Sequence, residues 1–317
     1  MQEDFFPTIF WKYPAHDFPK MNRSQDWRYW LNLLTFTLGI ALLGTLFVLI
    51  HFGYQGAQSY THPQRYQRAI GDDPSQFDIE FRSITLTTED GIELAAWYTP
   101  SQNGAVILAA HGYAGGRSAQ MHALFARHGY GVISWDARAH GESGGDLCTW
   151  GYYERRDVET ALDYALSAED VRYVGAFGES MGAATILLAA AYQPKIQAVV
   201  ADSAFATLED MIHVVIPHPI FRPFIQFFAE RETGLTADDL RPVDAIQHIS
   251  PRPVFIIQGE ADETVPPESA LRLYEAAGEP RQHWIESGVG HVSMFMAYPE
   301  EYETRVIRFF DEYLLEE

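Results

Sequence analysis

The 317-residue chain has one cysteine, Cys148, so no disulfide can form within it. With no second thiol near it, Cys148 reads as a packed or half-exposed structural residue. Positive charge is scarce as well: 22 Lys and Arg stand against 43 Asp and Glu, a formal net charge of −21. Nucleic-acid binding needs a basic face, and this balance argues against it. Such acidity suits solubility or a salt-adapted or acid-tolerant setting; a cationic substrate or partner is the other reading. Internal repeats and low-complexity tracts are missing. No histidine pair has helical metal-ligand spacing in a carboxylate setting, and no G-x-x-x-x-G-K phosphate loop occurs. Neither a metal nor a cofactor is expected.

Charge is absent altogether from residues 31–52, which are dominated by Leu, Ile, Val, Phe and small residues. About 20 helical residues span the roughly 30 Å hydrocarbon core of a bilayer. Trp27, Tyr29 and Trp30 before this run, and Tyr54 and Tyr60 after it, suit the two interfaces. A cleaved signal peptide is the competing reading. The long leader, acidic at Glu3 and Asp4, and the missing small-x-small site favour an anchor. Lys12, Lys20, Arg23 and Arg28 precede the run, and only Arg65 and Arg68 follow closely. The positive-inside rule then puts the N-terminus in the cytoplasm and the large domain on the extracytoplasmic side. The chain divides into an N-terminal cytoplasmic or interfacial segment (1–30), a transmembrane helix (31–52), a polar tether (53–76) and a folded domain (77–317).

The remainder is ordinary globular sequence, 47% hydrophobic and 21% charged overall. Residues 78–87 alternate as a half-buried strand should, and Thr88-Glu89-Asp90-Gly91 separates them from a second strand over 92–98. The continuous apolar run 106–110 fits a strand buried on both faces of a parallel sheet, and 131–135, the short strand that starts in the stretch from Val171, 196–201 and 254–258 read as further buried strands. A last strand over 281–286 precedes a closing helix over 300–315. Helical patterns separate the strands, over 119–128 and 154–167 for example. The fold class is α/β: a doubly wound, mostly parallel sheet with an antiparallel start.

The strand over 171–177 ends in Gly178-Glu179-Ser180-Met181-Gly182 and leaves as an Ala/Leu-rich helix. That is a G-x-S-x-G nucleophile elbow in its strand–turn–helix context. A serine hydroxyl is a poor nucleophile at neutral pH, so it needs a base, and the base needs an orienting acid. Both should lie in loops after later strands, on the carboxyl edge of the sheet. Asp262, in Gly259-Glu260-Ala261-Asp262-Glu263-Thr264-Val265-Pro266, and His291, in Gly288-Val289-Gly290-His291, meet that condition. Glu260 and Asp202 are the rival acids; His111 and His140 do not follow the acid in chain order.

Over about 75–317 the sequence resembles the alpha/beta-hydrolase family, through His111-Gly112, Gly178-x-Ser180-x-Gly182, Gly259-x-x-Asp262-x-x-Val265-Pro266 and Gly290-His291 in family order. It looks most like the serine aminopeptidase and monoacylglycerol-lipase-like branch, which includes single-span anchored members. The resemblance implies Ser180 as nucleophile, His291 as general base then acid, and Asp262 as the group fixing the imidazole tautomer. It implies an oxyanion hole of the backbone amides of Tyr113 and Met181. Asp136, Arg138 and Ser143 read as loop braces, Arg117 braces the oxyanion loop or contacts an anionic group, with bracing favoured, and Glu179 is given no catalytic step.

In the family a cap inserts between the strands that here end at Ala201 and begin after Pro253. Here it covers about 205–249, with aromatics such as Phe224 and Phe228 expected to line an apolar acyl pocket; packing on the sheet is the other reading. The function expected is hydrolysis of small or lipid-like carboxylic esters through an acyl-enzyme, on a domain held to a membrane by 31–52. An aminopeptidase or amidase on the same triad is the alternative, and would need acidic groups near Ser180, for which Glu179, Glu209 and Asp210 are the candidates. A non-catalytic binding protein on a hydrolase fold is disfavoured by the intact Ser, Asp and His.

Overall fold

The computed structural model describes residues 23–315, with side chains from residue 27 onward. Most of the N-terminal segment expected over 1–30 lies outside the described residues. The chain divides into two compact units, Met1–Ile50 and His51–Glu317.

In the first unit the described residues belong to one helix, α1 (Arg23–Thr61). Its stretch Trp27–Thr61 is long and apolar enough to cross a membrane, with a mean hydropathy of 2.5 over its most apolar 18 residues. Leu34, Phe36, Leu42 and Leu43 are exposed along it.

The second unit begins with the last turns of α1, so the expected tether (53–76) is corrected at its start. Helix persists to Thr61, and Pro63, which cannot donate an intrahelical hydrogen bond, stands just beyond. The rest of the segment lies along the body of the unit. Arg65 donates to the carbonyls of Gly141 (3.3 Å) and Gly145 (2.5 Å). Arg68 pairs with Asp136 at 3.2 Å and lies 4.4 Å over the Trp97 ring. A 3-10 turn, Pro74–Phe77, is capped by the Asp73 carboxylate, which accepts from the Ser75 amide at 2.9 Å. The turn ends at Asp78 in the left-handed region (φ 60°), and the first strand starts at Arg82 rather than at 78.

Strands β1 (Arg82–Thr87) and β2 (Glu93–Thr99) form the expected antiparallel hairpin. Then follow β3 (Ala105–Ala110), α2 (Ala119–Ala126), β4 (Gly131–Trp135), α3 (Arg155–Leu166), β5 (Tyr173–Glu179), α4 (Met181–Ala190) and β6 (Ala198–Asp202). The insertion after β6 carries α5 (Leu208–Val215), α6 (Arg222–Thr233) and the short α7 (Pro242–Ala245). The chain closes with β7 (Val254–Gly259), α8 (Glu268–Ala276), β8 (Arg281–Glu286), α9 (Met294–Ala297) and α10 (Pro299–Phe310).

The eight strands form one sheet in the order β1-β2-β4-β3-β5-β6-β7-β8, parallel from β4 onward. All six residues of β3 are buried, as a strand covered by helices on both sides requires. Val158, Leu162, Ile186, Leu187 and Leu273, from α3, α4 and α8, pack in one core layer. Leu124, Phe125, Val306 and Phe310, from α2 and α10, fill the other. Each fully buried aliphatic or Phe side chain contributes about 1.5–3 kcal/mol. The parallel strands bring β3, β5, β6, β7 and β8 to a common carboxyl edge, where the chemistry-bearing loops begin.

Candidate active site

Ser180 follows directly on β5 and opens α4. Its φ of 53° and ψ of −119° lie outside the regions that L-residues normally occupy. Such a turn leaves no room beside it. A Cβ on Gly178 would come within 2.6 Å of the Ala183 nitrogen, and one on Gly182 would collide with the Ala110 carbonyl. The Ser180 amide donates to the Asp202 carbonyl at 2.8 Å, which ties the strained residue to β6.

Ser180 Oγ lies 2.9 Å from His291 Nε2, and His291 Nδ1 lies 2.7 Å from Asp262 Oδ2. The three residues come from the ends of β5, β7 and β8 and meet as the chain order predicts. The Asp262 side chain is fully buried. Its Oδ1 accepts from the Thr264 and Val265 amides, both at 2.8 Å, and Oδ2 accepts from Gln258 Nε2 at 2.8 Å. Burial alone would raise its pKa, but the His291 hydrogen bond and the two amides outweigh it and hold the carboxyl below its ordinary value.

The rival acids are engaged elsewhere. Glu260 is exposed and accepts from Ser287 Oγ at 2.5 Å. Asp202 is buried and accepts from Ser203 Oγ and from Tyr302 Oη, both at 2.8 Å. Ser203 Oγ in turn accepts from the amide of Val292 at 3.2 Å. Val292 is β-branched with φ 48°, so this bond holds a strained residue directly after His291. Burial drives the Asp202 carboxyl up to about 6. Glu179, half-buried and in register with Asp202 on the neighbouring strand, is pushed up to about 8 by desolvation and by that carboxylate.

Of the expected oxyanion donors, Met181 is the first residue of α4, whose leading amides have no partner within the helix. Tyr113 follows Gly112, where an added Cβ would stand 3.2 Å from the Ser180 Cβ and 3.8 Å from its Oγ. The loop backbone therefore runs against the serine. His111 braces this loop: Nε2 accepts from the Ala137 amide at 2.9 Å and Nδ1 donates to the Gly112 carbonyl at 2.7 Å. Burial, with His140 nearby, lowers its pKa to about 4, so the ring is neutral at physiological pH. Arg117 bonds Asp136 at 2.5 Å, and Arg138 bonds Asp157 at 2.7 Å and Asp90 at 2.8 Å, both as braces. Ser143 Oγ bonds the Asp136 carbonyl and accepts from the Ala95 amide. Among the described residues no three His, Cys, Asp or Glu side chains converge to hold a metal ion.

A cavity of about 80 Å³ lies under the insertion, lined by residues including Tyr60, Trp150, Leu208, Met211, Ile225 and Leu240. Phe224 and Phe228, the expected acyl-pocket residues, do not line this cavity. Helical periodicity explains the difference. Ile225, Gln226, Ala229 and Glu230 face the cavity, whereas Phe224 packs on Gly53, and Phe228 meets the Tyr54 ring edge-on at 5.6 Å. Of the lining residues, Tyr60 was expected at a membrane interface, and Trp150 carries no motif that would have singled it out. Gln258 and Ser203, which support the acid and the histidine loop, escaped notice for the same reason.

A family model described as serine aminopeptidase, S33, matches residues 101–242, a range that includes Ser180. An uncharacterized Mycobacterium tuberculosis protein, Rv2307c, is 31% identical over 218 residues, 66% of this chain and 72% of that protein. The uncharacterized protein YqkD of Bacillus subtilis is 29% identical over 197 residues, 59% of this chain and 64% of its own length. The esterase Pf2001 of Pyrococcus furiosus superposes with a TM-score of 0.69 at 24% identity, over 80% of this chain and 99% of that one, and shows the shared fold. The chain belongs to the alpha/beta-hydrolase family, in its S33 branch, and is a hydrolase.

Proposed function

We propose that the protein is a serine hydrolase of carboxylic esters that works through an acyl-enzyme. The observation that carries this reading is the hydrogen-bonded chain Ser180–His291–Asp262, at 2.9 and 2.7 Å. His291 Nε2 takes the Ser180 proton as Oγ attacks the ester carbonyl, and the oxyanion forms against the amides of Met181 and Tyr113. Asp262, ionised and fixed by three donors, holds Nδ1–H toward itself and stabilises the imidazolium. His291 returns the proton to the leaving alcohol. It then activates water to hydrolyse the acyl-enzyme and regenerate Ser180.

Ester rather than peptide chemistry is favoured by the lining of the cavity under the cap and by the engagement of the candidate acidic groups. The cavity under the cap is mostly apolar in its lining residues. The carboxylates that could receive a substrate ammonium are otherwise occupied: Glu209 bonds His213 at 3.0 Å and Asp210 bonds Arg272 at 2.5 Å. The raised pKa of Glu179 favours its neutral form. An aminopeptidase or amidase on the same triad is the second reading, favoured by the S33 family match. The helix Trp27–Thr61 supports anchoring in a membrane through 31–52, with lipid-like esters as the natural substrate class. By the charge bias, the N-terminus is cytoplasmic and the catalytic unit extracytoplasmic.

The test is a panel of p-nitrophenyl esters and aminoacyl p-nitroanilides with the full chain and with Ser180→Ala. Turnover of the esters and its loss in the variant are expected. Unchanged turnover would discard the triad, and preference for the anilides would discard the ester reading. For orientation, a C-terminal reporter should resist protease added from the cytoplasmic side; digestion from that side would reverse the topology.

A further inference from the structure

A helix leaves its last four carbonyls without partners in the helix itself. At the end of α1 these are the carbonyls of Gln58, Ser59, Tyr60 and Thr61. The first accepts from the His62 amide at 2.9 Å. The other three accept from the loops around the candidate active site. Tyr113 Oη donates to the Ser59 carbonyl at 2.7 Å, Trp150 Nε1 to the Tyr60 carbonyl at 3.1 Å, and the Cys148 amide to the Thr61 carbonyl at 2.8 Å.

These donors belong to backbone that cannot easily hold itself in place. Ala114, next to Tyr113, has φ 55°, and Trp150 has φ 57°, both in the left-handed region without glycine. Such conformations cost on the order of 1–3 kcal/mol each and persist only where the surroundings impose them. The Tyr113 and Trp150 rings stack at 4.5 Å with 13° between their planes. Cys148 Sγ touches Met181 Sδ at 3.6 Å. Both expected oxyanion residues thus contact groups that cap α1. On its other side the same helix end is pressed against the cap. A Cβ on Gly56 would come within 2.7 Å of Ile225, and Gln58 and Thr61 both bond Glu232, at 2.8 and 2.7 Å.

We propose that the last turns of α1 are a positioning element for the reaction: their carbonyls fix Tyr113 and Trp150, and so aim the oxyanion loop at Ser180. The inference rests on the reading above, in which the Tyr113 amide receives the oxyanion. It makes the helix end part of the catalytic apparatus rather than a passive tether. Displacing it relative to the loop lowers turnover without altering the triad.

The experiment uses the full chain with Tyr113→Phe, which keeps the backbone amide and the stacked ring but loses the bond to Ser59. One lost hydrogen bond on the oxyanion side should lower kcat about 3- to 10-fold on a short p-nitrophenyl ester, with KM changed less than about twofold. The inhibition constant of a trifluoromethyl ketone, whose hemiketal places an oxyanion in the same hole, should rise by the same factor, while the melting temperature holds. Trp150→Phe should give the same signature, more weakly, and serves if Tyr113→Phe does not fold. Unchanged kcat and ketone affinity, or losses that merely follow a falling melting temperature, would overturn the positioning role. If Ser180→Ala is inactive in that case, the inference fails alone. If Ser180→Ala still turns over, the reading beneath it fails too.

Discussion

The Ser180–His291–Asp262 chain and the loop of Tyr113 sit on the same edge of the sheet, yet they are held in opposite ways. Asp262 is fixed from within its own neighbourhood, by Gln258, Thr264 and Val265. His291 is fixed by Asp262 and by the short relay from Asp202 through Ser203 to the Val292 amide. Tyr113, by contrast, is tied to Ser59, and Trp150 to Tyr60, far away in the chain. One half of the site is built by loops on the sheet that carries them. The other half depends on how a separate helix is seated. Damage to the first half should stop the chemistry, and damage to the second should weaken or redirect it.

The sharpest way to break that contrast is Asp262→Asn. The amide preserves shape but loses the charge and stabilises the wrong imidazole tautomer, so kcat should fall by about 10³–10⁴. A variant retaining more than about a tenth of kcat would move the acid role elsewhere, with Asp202 the first suspect. Next in size is a block of the cavity. Leu208→Trp should cut turnover of octanoyl esters by about tenfold or more while acetyl esters change little. Phe224→Ala should instead lower stability, by about 1–3 kcal/mol for a partly buried ring, and affect all chain lengths alike. A chain-length effect of Phe224→Ala as large as that of Leu208→Trp would put the acyl pocket on the other face of α6.

The smallest expected effect is a pH dependence of stability. Glu179 has its folded pKa raised to about 8. Its contribution is therefore full below the ordinary glutamate value of about 4.3 and is lost as pH rises toward that folded value. Glu179→Gln removes this dependence. In thermal melts the variant should gain on the parent by a few degrees between about pH 5 and pH 8. A gap that stays constant across that window would mean Glu179 is ionised alongside Asp202.

Most of the sheet was legible from the sequence, because its signals are local. The runs that became β3 to β7 are apolar on both faces, and only a parallel sheet covered by helices buries such strands completely. The elbow was legible for a similar reason: a serine between Gly178 and Gly182, after a strand and before a helix, carries its own geometric demand. The meeting of Asp262 and His291 with Ser180 followed from chain order and from their places after later strands. The side chains that line the cavity were not legible. Phe224 and Phe228 share an aromatic run with no clear period, and which face of α6 meets the cavity depends on what packs against it.

The sequence by itself determined an α/β sheet, a strained serine at one strand end, and an apolar helix before them. Its information there is short-range: hydrophobic period, glycine at tight places, and the order of loops. Only the tertiary structure decided that the apolar helix runs on to Thr61 and is capped by Tyr113, Trp150 and Cys148. Carbonyl caps use backbone oxygen, which every residue has, and their donors lie far off in the chain. Such contacts leave no mark on composition or spacing and emerge only when the pieces pack.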